Sequence, residues 1–297
     1  MANDSEVSLH SYRQAAVTAI GARIPQVDWS KSFERHWCGG DAAATHAFNA
    51  LSFLFPQGER FFIEAARDVA RGVDLAGNPG FAQAVAGFIG QESMHARQHA
   101  QYNAVLEEQG FANVVRAYIA WLQGFSERRL APVTRLAVVC GYEHYTAILG
   151  NYILRNPRVL APAPPDMALI WGWHSAEETE HKAVCFDLYR YAGGGWLRRA
   201  LVFLLVSLNF SLMFGRLYLS LLYRDGCLKP QRLAVTAWHC TRFFFGAPGV
   251  AWHLLWHGVR YLSPWFHPWN QDNRRELQAW LRANQARLED AEPRGAR

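Results

Sequence analysis

The sequence predicts an all-α protein: a four-helix bundle with one long crossover, followed by an additional apolar, helical C-terminal region. Three observations carry this expectation. From Asp41 onward apolar residues recur at helical spacing, and no stretch alternates as a strand would. Prolines and glycines fall at intervals that bound helices. The pattern Glu-x-x-His occurs twice, at Glu92–His95 and Glu178–His181, on the second and fourth of the long helices.

Each element has a local reason. Residues 1–40 form a mixed lead-in segment punctuated by Pro25, Gly39 and Gly40. A helix over about 41–72 is expected to kink or restart at Phe55-Pro56-Gln57-Gly58, because proline removes one i→i−4 bond. The next runs from Pro79, suited to a first turn, to Gly110, suited to a C-terminal stop. A shorter helix over about 112–125 makes the crossover. A third long helix covers about 132–155 and stops before Asn156-Pro157. The fourth covers about 166–191, after Pro162, Pro164 and Pro165, and ends at Gly193-Gly194-Gly195. The bundle thus occupies 41–195, the apolar region 196–271, and a polar tail with a helix 272–297.

Composition limits the function classes. The chain has 297 residues, 51% hydrophobic and 19% charged, so disorder is excluded for most of it. A net charge of +5 hides a split. Residues 1–195 carry 16 Lys/Arg against 19 Asp/Glu, whereas 196–271 carry eight Lys/Arg against one acid, Asp225. Six of the 12 Trp also lie in 196–271. The five cysteines (Cys38, Cys140, Cys185, Cys227 and Cys240) form no Cys-x-x-Cys. They argue against a disulfide framework or a thiolate zinc site, and for a reducing compartment. Asp4, Glu6 and the short apolar run Ala15 to Ile20 do not read as a signal peptide.

The chemistry concentrates in the two Glu-x-x-His pairs. At about 100° per residue, positions i and i+3 share one helix face. The other two long helices should each add an inward Glu. The third offers only Glu143, in an otherwise uncharged stretch. The first offers Glu59 and Glu64. Glu59 stands 33 residues before Glu92, matching the 35 from Glu143 to Glu178, whereas Glu64 stands 28 before it. The expected ligand set is therefore Glu59, Glu92, His95, Glu143, Glu178 and His181, an internal two-fold repeat. Four carboxylates and two imidazoles can bridge two divalent ions about 3.5–4 Å apart. Iron fits this donor set; manganese or a mixed pair is compatible, and zinc suits it less. His99 and His174 fall on the same faces. They are read first as partners holding ligand carboxylates, with an extra ligand or a catalytic proton shuttle as the alternative. Cys185, Tyr142 and Tyr145 are read as core filling, and Glu177 and Glu180 as solvated residues off the ligand face.

At these residues the chain resembles the ferritin-like di-iron carboxylate proteins, and more narrowly a bacterial family known as predicted metal-dependent hydrolases. The segments that carry the likeness are Phe55 to Phe62, Gln91 to His95 with His99 and Tyr102-Asn103, Glu143 to Ala147, and Trp173 to Lys182. It spans about residues 35–225 and implies a metal site at the six residues, with His99 and His174 close by. Around Cys140-Gly141-Tyr142 the chain departs from the family pattern.

The region 196–271 reads differently. Ala200 to Tyr223 holds one charge, Arg216, and would be long enough as a helix to cross a bilayer. Basic residues flank it on both sides, Arg198 and Arg199 before and Arg224, Lys229 and Arg232 after. A simple span carries its basic excess on one side, so a segment that dips into or lies on the cytoplasmic face of the cell membrane is favoured. Nucleic acid is not expected as a partner, since no recognition motif appears. A homodimer stays open. The functional expectation is a membrane-associated, oxygen-activating di-iron enzyme. It would act on a hydrophobic or lipid-like small molecule and draw on an external electron donor. A two-metal hydrolase of an ester or phosphoester is the alternative, and a non-enzymatic metal-binding protein the third reading.

Overall fold

The protein is all-α, as expected. The computed structural model describes residues 20–247 and 249–291. The leader reading rests on residues outside that range, Ile20 apart. A short strand β1 (Arg23–Pro25) precedes the helices α1 (Ala42–Arg71), α2 (Pro79–Glu108), α3 (Arg116–Arg129), α4 (Pro132–Arg155), α5 (Pro165–His181) and α6 (Val184–Tyr191). Then come α7 (Trp196–Arg224), α8 (Pro230–Phe245), α9 (Val250–Tyr261), α10 (Arg274–Asn284) and a strand β2 (Leu288–Asp290). The two strands pair antiparallel, Arg23 opposite Asp290. At three residues each they are too short to show alternation in the sequence.

Local chemistry starts and stops the bundle helices. Asp41 caps α1 by accepting from the Ala43 and Ala44 amides. Asn78 caps α2, with Pro79 pre-set for its first turn. Gly110 ends α2 at φ +87, where the Phe111 amide reaches back to the Leu106 carbonyl, a closure that favours glycine. Helix α1 packs along α2 and α4, α4 along α5, and α5 along α2, which makes the four-helix bundle. At Gly150 a β-carbon would stand 2.9 Å from the Ser175 carbonyl oxygen. That absent side chain lets α4 approach α5 beside Glu178.

Three local expectations change. Helix α1 passes through Pro56 without interruption. The carbonyl that Pro56 leaves without a donor is that of Ser52, and the Asn103 side-chain amide donates to it at 2.9 Å. The crossover helix begins at Arg116, later than expected, after Asn113 has donated to the Phe53 carbonyl at 2.7 Å. The fourth helix divides after His181, where the Lys182 ammonium is drawn to the Gln271 carbonyl and Asn273 Oδ1, both at 2.7 Å.

The C-terminal helices lie on the bundle. Helix α7 packs on α4 and α1, α8 on α1, α9 on α4, and α10 on α5. Asp225, the one acid of 196–271, ties the end of α7 to the lead-in segment through Arg35 and His36 and to α1 through His46. The outer side of α7 to α9 stays apolar and exposed, with Leu205, Leu208, Leu212, Trp238, Trp252 and Trp256 each more than half accessible.

Candidate metal centre

All six residues expected as ligands meet at the bundle centre, and all are buried. They fall into two groups. Glu92, Glu143, Glu178 and His181 can each point one donor atom at a common position, and so can Glu59, His95 and His174. Two carboxylates join the groups. Glu178 Oε1 lies 3.5 Å from His95 Nδ1 and 3.1 Å from His174 Nε2, while its Oε2 lies 3.3 Å from His181 Nε2. Glu92 Oε1 lies 3.5 Å from His95 Nδ1 and 3.2 Å from His181 Nε2. Glu143 Oε2 is 3.4 Å from His181 Nε2. Atoms that each sit about 2.0–2.2 Å from one first-row ion lie about 3.0–3.5 Å from each other. Glu64, set aside on its spacing, is exposed.

The donor atoms lack other partners. Both oxygens of Glu59, Glu92 and Glu143, and Nε2 of His174 and His181, are buried without a hydrogen bond. An unpaired buried carboxylate costs several kcal/mol. Burial first, and then the neighbouring Glu178 and Glu143, push Glu59 well above the usual carboxylate range. Burial and Glu178 lift Glu143 to about 7. Burial alone would depress His181, but the Glu178 and Glu143 carboxylates overcome it and raise the imidazole to about 10. In the metal-free cavity a proton on His181 thus stands where a metal cation would. The four carboxylates carry four negative charges, which two divalent cations would balance. The residues present fit such a pair.

The imidazoles are oriented from outside the centre. Gln91 donates to Glu180 Oε2 at 2.8 Å and to the Gly21 carbonyl at 3.1 Å, so its Oε1 accepts from His181 Nδ1 at 2.8 Å. The Nε2 lone pair of His181 then faces the carboxylates. Glu177 Oε2 lies 3.2 Å from His95 Nε2 without hydrogen-bond geometry, and His95 Nδ1 lies on the side of Glu92 and Glu178. Glu177 and Glu180 are therefore buried, contrary to the expectation that they are solvated. Their counter-ion is Arg23 of β1. Its amide donates to Glu177 at 2.9 Å and its guanidinium to both oxygens of Glu180 at 2.7 and 2.8 Å. The repeat in the sequence extends one residue further than expected: Gln91 and Glu177 each directly precede the Glu of a Glu-x-x-His.

His174 and His99 take separate roles. Asn103, turned by the carbonyl that Pro56 leaves free, presents Oδ1 to the Ser52 hydroxyl at 2.8 Å. Ser52 Oγ then accepts from His99 Nδ1 at 2.9 Å, and His99 Nε2 accepts from His174 Nδ1 at 3.0 Å. The chain leaves the His174 Nε2 lone pair facing the centre beside Glu178. It ends inside the core, which supports a positioning role for His99 over proton delivery. Burial holds His95 near 3 and His174 near 4, both neutral as ligands must be.

Among the described residues three cavities approach the centre, the smallest, of about 90 Å³, at His174. An apolar one of about 480 Å³ reaches Glu59 and Thr146, whose hydroxyl donates to Glu178. A polar one of about 370 Å³ reaches Glu143 and is lined by Lys182, His144 and Arg260. Cys185 packs in the apolar core, as expected. Tyr142 and Tyr145 line the apolar cavity and bond to Asn209 and Ser207 of α7.

No curated protein and no solved structure matches the chain. The family model described as "Predicted metal-dependent hydrolase" matches residues 21–272. The chain belongs to this family of predicted metal-dependent hydrolases.

Proposed function

We propose that the protein is a membrane-associated enzyme with two metal ions, iron in first place, that oxidises a hydrophobic molecule with O₂. Glu92, Glu143, Glu178 and His181 would hold one ion and Glu59, His95 and His174 the other, with Glu92 and Glu178 shared. Manganese or a mixed pair suits the same donors. Bound iron would supply the electrons that reduce O₂ and the oxidising power for a C–H bond. The single observation that carries the oxidation reading is the apolar cavity that ends on Glu59 and Thr146. Its walls are Phe, Leu and Tyr side chains that orient an apolar substrate and exclude water. Hydroxylation would consume one O₂, two electrons and two protons per turnover and yield water, so an external one- or two-electron donor is required.

Membrane association rests on α7. Among the described residues it is the one helix long and apolar enough to cross a bilayer, yet it lies along the bundle with its outer side bare. Such a helix favours attachment to one leaflet over a clean span. Exposed Arg198, Arg224, Lys229 and Arg232 would meet the anionic lipids of the cytoplasmic face.

A second reading, hydrolysis of an ester or phosphoester, is favoured by the polar cavity at Glu143, where Lys182 and Arg260 could hold an anionic group. Anaerobic loading with Fe(II) followed by O₂ separates the two. The oxidation reading expects O₂ uptake and a changed Mössbauer spectrum. Iron that ignores O₂, with zinc-supported ester turnover, would overturn it in favour of hydrolysis.

A further inference from the structure

We infer that the apolar cavity is loaded sideways from the lipid bilayer, through a mouth between α3 and α7. This rests on the membrane and metal readings above and names the entrance and the substrate class. Leu205, Leu208 and Leu212 of α7 and Tyr118 and Phe125 of α3 line the cavity and are also exposed on the outer surface. A residue that is both wall and surface marks an opening. The opening lies within the bare apolar face, and α3 continues that face with Trp121, stacked between Tyr118 and Phe125.

A bilayer is the occupant that fits this face. An exposed apolar surface of this extent is rare on a protein that meets only water. The surrounding charges are mostly basic: Arg128 and Arg129 on α3, and Arg198 and Arg224 at the ends of α7, are exposed, against one exposed acid of α3, Glu127, while Arg116 is paired with Glu107. Asp225, at the end of α7, is already paired. Anionic lipid complements that rim, and tryptophans suit the headgroup boundary.

The mouth carries one polar bar. Asn209, the only amide in the uncharged run 200–215, donates to the Tyr118 hydroxyl at 2.7 Å and accepts from the Tyr142 hydroxyl at 2.8 Å. The bar links α3, α7 and α4 across a mostly apolar passage, whose other polar side chains include Gln123 and Ser126 of α3. A substrate passing it must be apolar along most of its length and can exchange hydrogen bonds there through one polar group. The substrate class is therefore a lipid-soluble chain or ring system with a single hydroxyl, carbonyl or carboxyl end, dissolved in the membrane.

The test uses the full chain on vesicles of phosphatidylglycerol mixed with phosphatidylcholine. A benzophenone side chain is placed at Leu208 in one sample and at Arg97, exposed on α2, in another. Irradiation is expected to give lipid adducts at 208 and none at 97. A polyene fatty acid, parinaric acid, serves as the cavity probe. Leu208→Arg, which sets a charge in the mouth, is expected to weaken its binding about tenfold, while metal content stays at the wild-type value. Equal adducts at both positions, probe binding unchanged by Leu208→Arg, or a stable dimer that covers this face without adducts would overturn the portal. Metal content reads the other proposal separately. Adducts at 208 in a protein that takes up no metal would leave the portal standing and remove the metal reading.

Discussion

The bundle centre and the outer face of α7 to α9 break the same rule in opposite directions. Globular proteins bury apolar side chains and expose charge. The centre buries Glu59, Glu92, Glu143 and Glu178 with most of their oxygens unpartnered, whereas the outer face exposes Leu205, Leu208, Leu212 and Trp256. Each inversion is the basis of a proposed partner: cations for the buried carboxylates, and anionic lipid for the bare leucines and their largely basic rim. The apolar cavity joins the two regions, since it ends on Glu59 inside and on Leu208 outside.

The comparison can be broken most sharply at Glu178, whose two oxygens face both ligand groups. Glu178→Ala should lose both metals by elemental analysis, with vesicle binding intact. If one metal stays at full occupancy, the shared-carboxylate geometry is wrong. Next is Arg23, whose guanidinium holds both oxygens of the buried Glu180 and whose amide donates to the buried Glu177. Arg23→Ala should destabilise the fold by about 3 kcal/mol, the scale of a broken buried pair. Thermal unfolding should fall by roughly 6–12 °C. A pairing that mattered only at the surface would shift it by a degree or so.

The pH dependence of the metal-free chain sharpens the picture of the centre. Folded Glu143 and Glu177 keep their protons to about 7 and 8, chiefly through burial, whereas an unfolded Glu loses its proton near 4.5. The folded form therefore binds more protons in that window, and its stability should fall as pH rises through it. His181, raised to about 10, acts in the same direction above 6.5. Below 6.5, His95 and His174 act oppositely, because they stay neutral in the fold and charge on unfolding. Denaturant titrations of the apo chain should thus show a decline in stability from pH 6.5 to 8, offset in part above 7 by Lys182, which burial holds near 7; bound metal should reduce the decline by displacing the protons of its ligands. A rise from pH 6.5 to 8 in the apo chain would contradict the crowded-carboxylate account. The smallest effect belongs to the rim. Arg224→Gln and Arg232→Gln should each weaken sedimentation with anionic vesicles by about 1 kcal/mol for the one charge removed, roughly fivefold, and less at high salt.

What the sequence disclosed was what is local. The spacing of Glu-x-x-His fixes a shared helix face within four residues, and the two similar intervals paired Glu59 with Glu143. The faces of His99 and His174 were equally visible. Their separate roles were not, because those depend on a chain that starts at Pro56 and passes through Asn103. Glu177 and Glu180 were misjudged for a related reason. A helical wheel gives an angle from the ligand face but says nothing of what packs there, and their counter-ion comes from Arg23, more than 150 residues upstream. The continuity of α1 through Pro56 has the same origin, a donor supplied from α2. Membrane association was argued from charge flanks. The structure adds that one side of α7 is occupied by the bundle and the other is left bare.

The central claim is that four carboxylates and three imidazoles hold two ions together. It is tested most directly by anaerobic Fe(II) titration of the full chain, read by iron analysis and Mössbauer spectroscopy. Two irons per chain in two distinguishable sites are expected, because one site is offered Glu143 and His181 and the other Glu59, His95 and His174. Saturation at one iron, or none retained after desalting, would contradict it.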